Sequence, residues 1–535
     1  MTSIELSECI ASSLSQAGTT TVFGMPGGGN NLDFIGAIEE AGMRFVLAHA
    51  ETPAAIMAAV YGDLTDTPGA CVVTRGPGAA SAVNGVAHAF LDRQPLVLVT
   101  DAVSSADRER IAHQQVDQRR MLAPITKWNA TIGSGDPDQT AAHAVSEALT
   151  SPRGPVHLDF DPCGASTPPP PGTRRSNERA SELSQLGEMV AQASRPVVCL
   201  GVGAREAAPV VRALFERSPA PVLMTYRAKG LVPDSWSSAA GLLSGATTEA
   251  PLLAAADLIV MIGVDSVEFI PNPWPYRAAV VSLNSWAESS RYLTPAIEVV
   301  GDLEILIAKL AQSWPATTWD ADAGNRHRDF ELDRLLAARP AAPKGLVPQD
   351  VVRRTRAAAP AGTVATVDAG AHMLPAMSLW TTEDLNEIII SSGLATMGFA
   401  LPAAIAAALA RPERRVVCFT GDGGLGMCLG ELETLSRLDL KVTVIVFNDS
   451  RLSLIAIKAK PEANGGAHPI TEYTRIDFAT VGRGYGLLAA RAATTEELDQ
   501  AIQQALGHDG PSIIDACVDP SGYPEVLAAI RGERT

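Results

Sequence analysis

The sequence predicts an α/β protein built as three doubly wound domains with parallel sheets, and three observations carry that prediction. Short apolar runs of strand length alternate with alanine-rich helical stretches, the pattern of a parallel sheet covered on both faces. Two stretches rich in proline and polar residues interrupt the alternation and leave three blocks of similar size. The 535 residues, 46% of them apolar, suffice for three separate cores.

The first block, 1–165, holds "FVLAHA", "GACVVT", "PLVLVTD" and "PVHLDF" as buried-strand candidates. The stretch "GASTPPPPGTRRSNERASE", with four consecutive prolines, reads as a linker. The second block, 186–315, carries "RPVVCLGVGA", "PVLMTYRAKG", "ADLIVMIGVD" and "AAVVSLN". Its "GVGA" has a G-x-G without the third glycine of a dinucleotide fingerprint, and no acidic residue follows a clear second strand, so the signal for a nucleotide there is weak. A polar stretch ending in "AARPAAPKGLVP" forms the second linker. The third block, 346–535, holds "TVATVDAG", "EIIISSG", "RRVVCFTGDGG" and "KVTVIVFNDS". No internal sequence repeat makes the blocks copies of one another.

Charge and cysteine usage exclude some roles. The 42 basic and 59 acidic residues give a net charge of −17, which argues against nucleic acid or an anionic membrane as the main partner. Seven cysteines, an odd number with no C-x-x-C pair, read as free thiols in a reducing cytoplasm. "MTSIELSECIASSLSQAG" lacks a basic start and an apolar core, so no signal peptide is expected, and no run of about 18 apolar residues predicts a membrane span.

The most informative stretch is "RRVVCFTGDGGLGMCLGELETL". An apolar strand ends in Gly421, Asp422, Gly423 and Gly424, and a helical pattern with Leu425, Cys428, Leu432 and Leu435 on one stripe follows. Glycines at a helix start let an anion approach backbone N–H groups, yet Asp422 repels a bare phosphate. A divalent cation between them resolves the conflict, and Mg²⁺ favours such a mixture of carboxylate, water and phosphate oxygen. The next strand, "KVTVIVF", is expected to run parallel and to deliver Asn448-Asp449-Ser450-Arg451 to the same edge, where α/β sheets bind ligands. Alone, "ND" is also a simple turn; beside G-D-G-G it is a second metal ligand.

These residues resemble the thiamine-diphosphate motif, written GDG and, one strand later, NN. The resemblance extends over essentially the whole chain and is strongest to acetolactate synthase large subunits and their carboligase and lyase relatives, benzaldehyde-lyase-like chains among them. It is carried by "VFGMPGG", "HAETPAAIMAAVYG", "VVTRGPGAASAVNGVAHAFLDRQPLVLVTD", "QQVDQRRMLAPITKW", "SPRGPVHLDF", "DAGAHM" and "SSGLATMGFALPAAIAAAL" in family order. It implies a pyrimidine-binding N-terminal domain, a central domain and a diphosphate-binding C-terminal domain. The metal ligands it implies are Asp422, Asp449 and the main-chain carbonyl of Arg451, with Asp449 standing where the family usually has asparagine. Glu51 matches the catalytic glutamate that hydrogen-bonds the pyrimidine N1′, which suits an apolar pocket favouring its protonated form. Read locally, Glu51 is also an ordinary first-turn acid beside Pro53.

Met397 matches the bulky residue that bends the cofactor into a V, or is a core methionine. The carbonyl of Ala395 and the N–H of Met397 match pyrimidine contacts. Gly370, Ala371 and His372 match a loop beside the diphosphate. Gln114 matches a glutamine near the thiazolium; His113 beside it is a titratable change from the family pattern or a satisfied surface or core histidine. Lys127, in "ITKW", matches a residue lining the substrate entrance.

The activity implied is addition of the cofactor's C2 carbanion to a 2-keto acid and loss of CO₂. Transfer to a second carbonyl follows in a carboligase and protonation in a decarboxylase; a lyase runs the carbon–carbon bond backwards. A flavin or nicotinamide oxidoreductase using the middle block is the reading from another class. FAD is not expected: acetolactate synthases usually carry an arginine-rich segment where this chain reads "GVDSVEF", with Asp265 and Glu268 facing any flavin diphosphate. The resemblance further implies a homodimer or homotetramer in which each active site is shared between chains. "AAIMAAVYG" and "LPAAIAAALA" are small-faced enough to pack at that interface; a place in the core of one chain is their other reading.

Overall fold

The computed structural model describes residues 2–170, 180–270, 272–287, 292–459 and 469–532. Residues 171–179 of the proline-rich linker lie outside them. Each block forms one six-stranded sheet in which neighbouring strands run parallel.

The first sheet comprises β1 (Thr21–Met25), β2 (Arg44–Leu47), β3 (Gly69–Val73), β4 (Leu96–Asp101), β5 (Trp128–Ser134) and β6 (Pro155–Ala165), in the order β2-β1-β3-β4-β6-β5. The central sheet holds β7 (Pro196–Leu200), β8 (Val222–Met224), β9 (Ala239–Leu242), β10 (Leu258–Ile262), β11 (Ala279–Asn284) and β12 (Ile297–Val300), ordered β12-β11-β10-β7-β8-β9. The third holds β13 (Val364–Val367), β14 (Ile388–Ile390), β15 (Val416–Gly421), β16 (Val442–Asn448), β17 (Leu488–Ala492) and β18 (Ser512–Cys517), ordered β14-β13-β15-β16-β18-β17. The two outer sheets therefore share one strand order, although no sequence repeat reveals it. The central sheet has the order of dinucleotide-binding sheets.

The stretch before the second linker is more than a connector. Residues Ala323–Ala337 form a helix that packs on β9 and on the C-terminal helix Tyr523–Arg531. Only Gly324 and Leu335 of it are buried, so its sequence shows no apolar stripe.

The alanine-rich helices Glu51–Thr65 and Ala400–Ala410 pack against each other within one chain. Ala54 to Val60 and Phe399 to Ala407 belong to one apolar cluster that joins the first and third domains. Their placement at a chain–chain interface is thereby corrected: alanine faces permit a close approach, and the chain's own third domain uses it. Helix Pro77–Leu91 packs on the same helix, where Gly85 faces Ala55. Among the described residues no helix is long and apolar enough to cross a membrane. The seven cysteines are free.

Candidate functional site

The carboxyl ends of β13, β15 and β16 lie side by side in the third sheet, with β14 next to β13. The residues that follow them close around a cavity of about 180 Å³. Gly370, Ala371 and His372 come from the loop after β13, and Ala395 and Met397 from the loop after β14. Gly421 to Gly424 end β15 and start a short helix, while Asp449 and Arg451 follow β16. A parallel register from Val416↔Val442 to Gly421↔Phe447 brings Asp422 level with Asn448, the residue before Asp449.

Asp422 is buried and Asp449 half-buried, and the two are close enough to repel. Asp422 Oδ1 accepts from Gly423 N at 2.7 Å and Oδ2 from Arg451 N at 3.2 Å. Burial raises its carboxyl above the ordinary range. Burial lifts Asp449 further, to about 7; the Ser453 hydroxyl, at 2.5 Å, opposes the rise and the charge of Asp422 adds to it. His372 stacks on Phe447 with 5.2 Å between ring centroids, and burial pushes it down to about 4, so it is neutral at pH 7. Its Nε2 is buried, with no hydrogen-bond partner among the described residues.

Asp368, at the end of β13, ties two walls of the cavity together. It accepts from Gly398 N at 3.2 Å, Phe399 N at 3.0 Å and Thr420 Oγ1 at 2.9 Å. The turn carrying Met397 is thus fixed against the strand that delivers Asp422. That turn needs positive φ at Ala395 (51°) and Gly398 (74°). A Cβ built on Gly423 would meet Met397 Cε at 3.3 Å and Leu452 Cδ2 at 3.1 Å, so only glycine leaves this part of the cavity open. Ser453 and Tyr523 were not anticipated. Ser453 stands one helical turn beyond Asp449, which is a readable spacing; Tyr523 arrives from the C-terminal helix and has no local signal.

Glu51, His113, Gln114 and Lys127 do not line this cavity. Glu51 is half-buried at the start of its helix, after the carboxyl end of β2 and beside Gly78 and Cys71. His113 and Gln114 lie exposed between β4 and helix Gln118–Leu122, Gln114 with φ of 57° next to the Gly76 turn. These three share the carboxyl edge of the first sheet. Lys127 does not: it precedes β5, at the opposite edge, and its Nζ donates to the carbonyls of Glu147 and Thr150 at 2.5 and 2.6 Å. The carbonyls at a helix end claim its ammonium, so its assignment to the substrate entrance is corrected.

Comparison with known proteins follows the three sheets. The description "Thiamine pyrophosphate enzyme, N-terminal TPP binding domain" matches residues 4–121, "central domain" matches 183–310 and "C-terminal TPP binding domain" matches 368–516. The chain belongs to the thiamine pyrophosphate enzymes. Its relatives include the acetolactate synthase isozyme 1 large subunit of Escherichia coli K12, 28% identical over 97% of this chain and 95% of that protein. The acetolactate synthase of Bacillus subtilis 168 is 27% identical over 96% and 93%. The acetolactate synthase large subunit of Corynebacterium glutamicum is 28% identical over 97% and 88%.

The cavity of this thiamine pyrophosphate enzyme fits its cofactor's charged end. Two carboxylates, one buried and one half-buried, and a main-chain carbonyl are a hard oxygen set suited to Mg²⁺ completed by phosphate and water. Glycines line the approach, and the buried Nε2 of His372 is free for a polar group. The central domain fits a flavin poorly. At its strand-order switch point Glu268 accepts from Val202 N at 3.0 Å and Asp265 N at 3.1 Å, occupying donors a diphosphate would use. Trp286 packs against Gly203, and Asp265 pairs with Arg93 at 2.6 Å.

Proposed function

We propose that this thiamine pyrophosphate enzyme is a carboligase that decarboxylates a 2-keto acid and joins the remaining fragment to a second carbonyl compound. The observation that carries the reading is its end-to-end similarity to proteins named acetolactate synthase. Asp422, Asp449 and the Arg451 carbonyl would hold Mg²⁺, and Gly421 to Gly424 would admit the diphosphate. Met397 would support the bend between the rings. Glu51 would hold a proton at the pyrimidine N1′. When bound, thiamine diphosphate supplies the nucleophilic carbon and the electron sink for loss of CO₂. Gln114 and His113, on the exposed strip beside Glu51, would face the substrate.

The active site is completed by a second copy of the chain, making a homodimer or a homotetramer of such dimers. Glu51 lies outside its own chain's cavity, which supports this. So do exposed apolar side chains at both halves: Leu47 (45%) and Val116 (50%) at the first sheet's carboxyl edge, and Met427 (63%) and Ile455 (48%) at the third's. FAD is not required, as the donors taken by Glu268 and the packing of Trp286 support; titration with FAD should give no saturable binding, and stoichiometric flavin in the purified protein would contradict this. A cytoplasmic site of action suits the free thiols, Cys163 exposed among them.

The test is reconstitution with thiamine diphosphate and Mg²⁺, then pyruvate and a panel of 2-keto acids, reading CO₂ and product. The expected outcome is CO₂ with a carbon–carbon coupled product. Free aldehyde alone would mean a decarboxylase, cleavage of an acyloin alone a lyase, and no turnover of any 2-keto acid or acyloin would overturn the assignment.

A further inference from the structure

Helix Glu51–Thr65 starts without help from its own sequence: Ala50 is its N-cap and provides no side-chain bond. The strip before it, Leu47 to Ala50, is docked instead on residues 430–437 of the third domain. Glu431 accepts from His49 N at 2.9 Å, and the Ala50 N–H also points to it. Arg437 donates to the Leu47 carbonyl at 2.6 Å, and His49 Nε2 meets Glu433 Oε2 at 2.8 Å. His49 rests on Gly430 so closely that a Cβ there would lie 2.9 Å from His49 Cβ. Glu431 is 1% exposed, and its second oxygen accepts from Thr434 Oγ1 at 2.8 Å. Both oxygens are therefore committed, one to its own helix and one to the backbone that launches Glu51.

We propose that Glu431 is a positioning residue that aims the Glu51 carboxyl by fixing the backbone at His49 and Ala50. This rests on reading Glu51 as the group at the pyrimidine. A buried carboxylate is a costly way to stabilise a seven-residue helix, whereas the His49 and Ala50 N–H groups at the turn into Glu51 have no other acceptor among the described residues. Gly430 and Glu431 follow Gly421 to Gly424 on one continuous run. In a shared-site dimer, the body that binds one cofactor's diphosphate would thus also set the glutamate serving the other cofactor.

The test uses Glu431→Ala and Glu431→Gln beside Glu51→Gln. In the cofactor-free protein, amide hydrogen exchange across residues 47–52 should quicken about tenfold or more in E431A and stay near parental in E431Q, which keeps one acceptor. With thiamine diphosphate and Mg²⁺ added, cofactor affinity should shift by less than about threefold, while exchange of the C2 proton slows about 100-fold in E431A and less in E431Q. A merely structural role would move affinity and C2 exchange together. Parental amide exchange and parental C2 exchange in E431A would overturn the proposal. If E431A does not fold, Glu431→Asp, which withdraws the oxygens by one methylene, carries both readouts with the same expected directions. A parental C2 rate in E51Q would overturn the reading of Glu51, while the amide readout would still judge the hold of Glu431.

Discussion

Asp449 puts a second negative charge where the related pattern carries an amide, in a cavity that already buries Asp422. Burial makes each carboxylate costly there, and the charge of Asp422 raises Asp449 further, so the pair is poised for a cation. Asp422→Ala should weaken thiamine diphosphate binding by about 100-fold or more, read by fluorescence quenching; an unchanged affinity would remove the metal assignment. Asp449→Asn should weaken Mg²⁺ by about tenfold through loss of charge, read by Mg²⁺ titration of cofactor binding. Asp422 was legible because a carboxylate among glycines at a strand end has few other uses, and Asp449 because the next parallel strand ends beside it. Tyr523 was not, because it reaches the cavity from a remote helix. Lys127 was misread because a motif gives sequence neighbours, not the edge of the sheet on which a side chain ends.

At the scale of elements, close packing sets the geometry around Glu51. A Cβ on Gly85 would lie 2.8 Å from the Thr52 carbonyl and 2.6 Å from Ala55 Cβ, so Gly85→Ala must push the Glu51 helix aside. We expect a loss of about 1–3 kcal/mol, seen as a lower urea midpoint, together with slower C2 proton exchange. A parental midpoint would show that the helices have slack. Strands with continuous apolar runs, such as β4 and β16, were readable because they are buried along their whole length. The edge strands β5 and β17 alternate or are half-exposed and carry no such run. β18 is fully buried, but Ser512 and Asp515 interrupt the apolar run of its "SIIDAC".

The whole molecule is locked by charges that cross its domains. Asp63 of the first domain pairs with Arg205 at 3.2 Å and Arg227 at 2.9 Å from the central one, and Arg205 reaches Asn386 of the third at 2.7 Å. Burial alone would raise the Asp63 carboxyl; the two guanidiniums outweigh it and hold it well below the usual range. A depressed folded value adds stability above the unfolded value of about 4, and that stability is lost as pH falls below it. Asp63→Asn should therefore cost about 3–5 kcal/mol at pH 7, and the gap from the parent should narrow below about pH 4. A gap that stays constant with pH would refute the ion-pair account. Three blocks were visible in the sequence because linkers differ in composition from cores. Their contacts were not, since ion pairs and alanine faces between domains leave no periodic trace.

One cofactor must meet Glu51 at one end and Asp422 at the other, yet Glu51 does not line the cavity that Asp422 builds. The decisive measurement is subunit complementation. Inactive Glu51→Gln protein is mixed with inactive Asp422→Ala protein under conditions of verified subunit exchange. A hybrid dimer would carry both lesions in one site and neither in the other, so the account predicts that 2-keto acid turnover returns. No recovery despite exchange would show that each chain builds its site alone and would contradict the shared-site account.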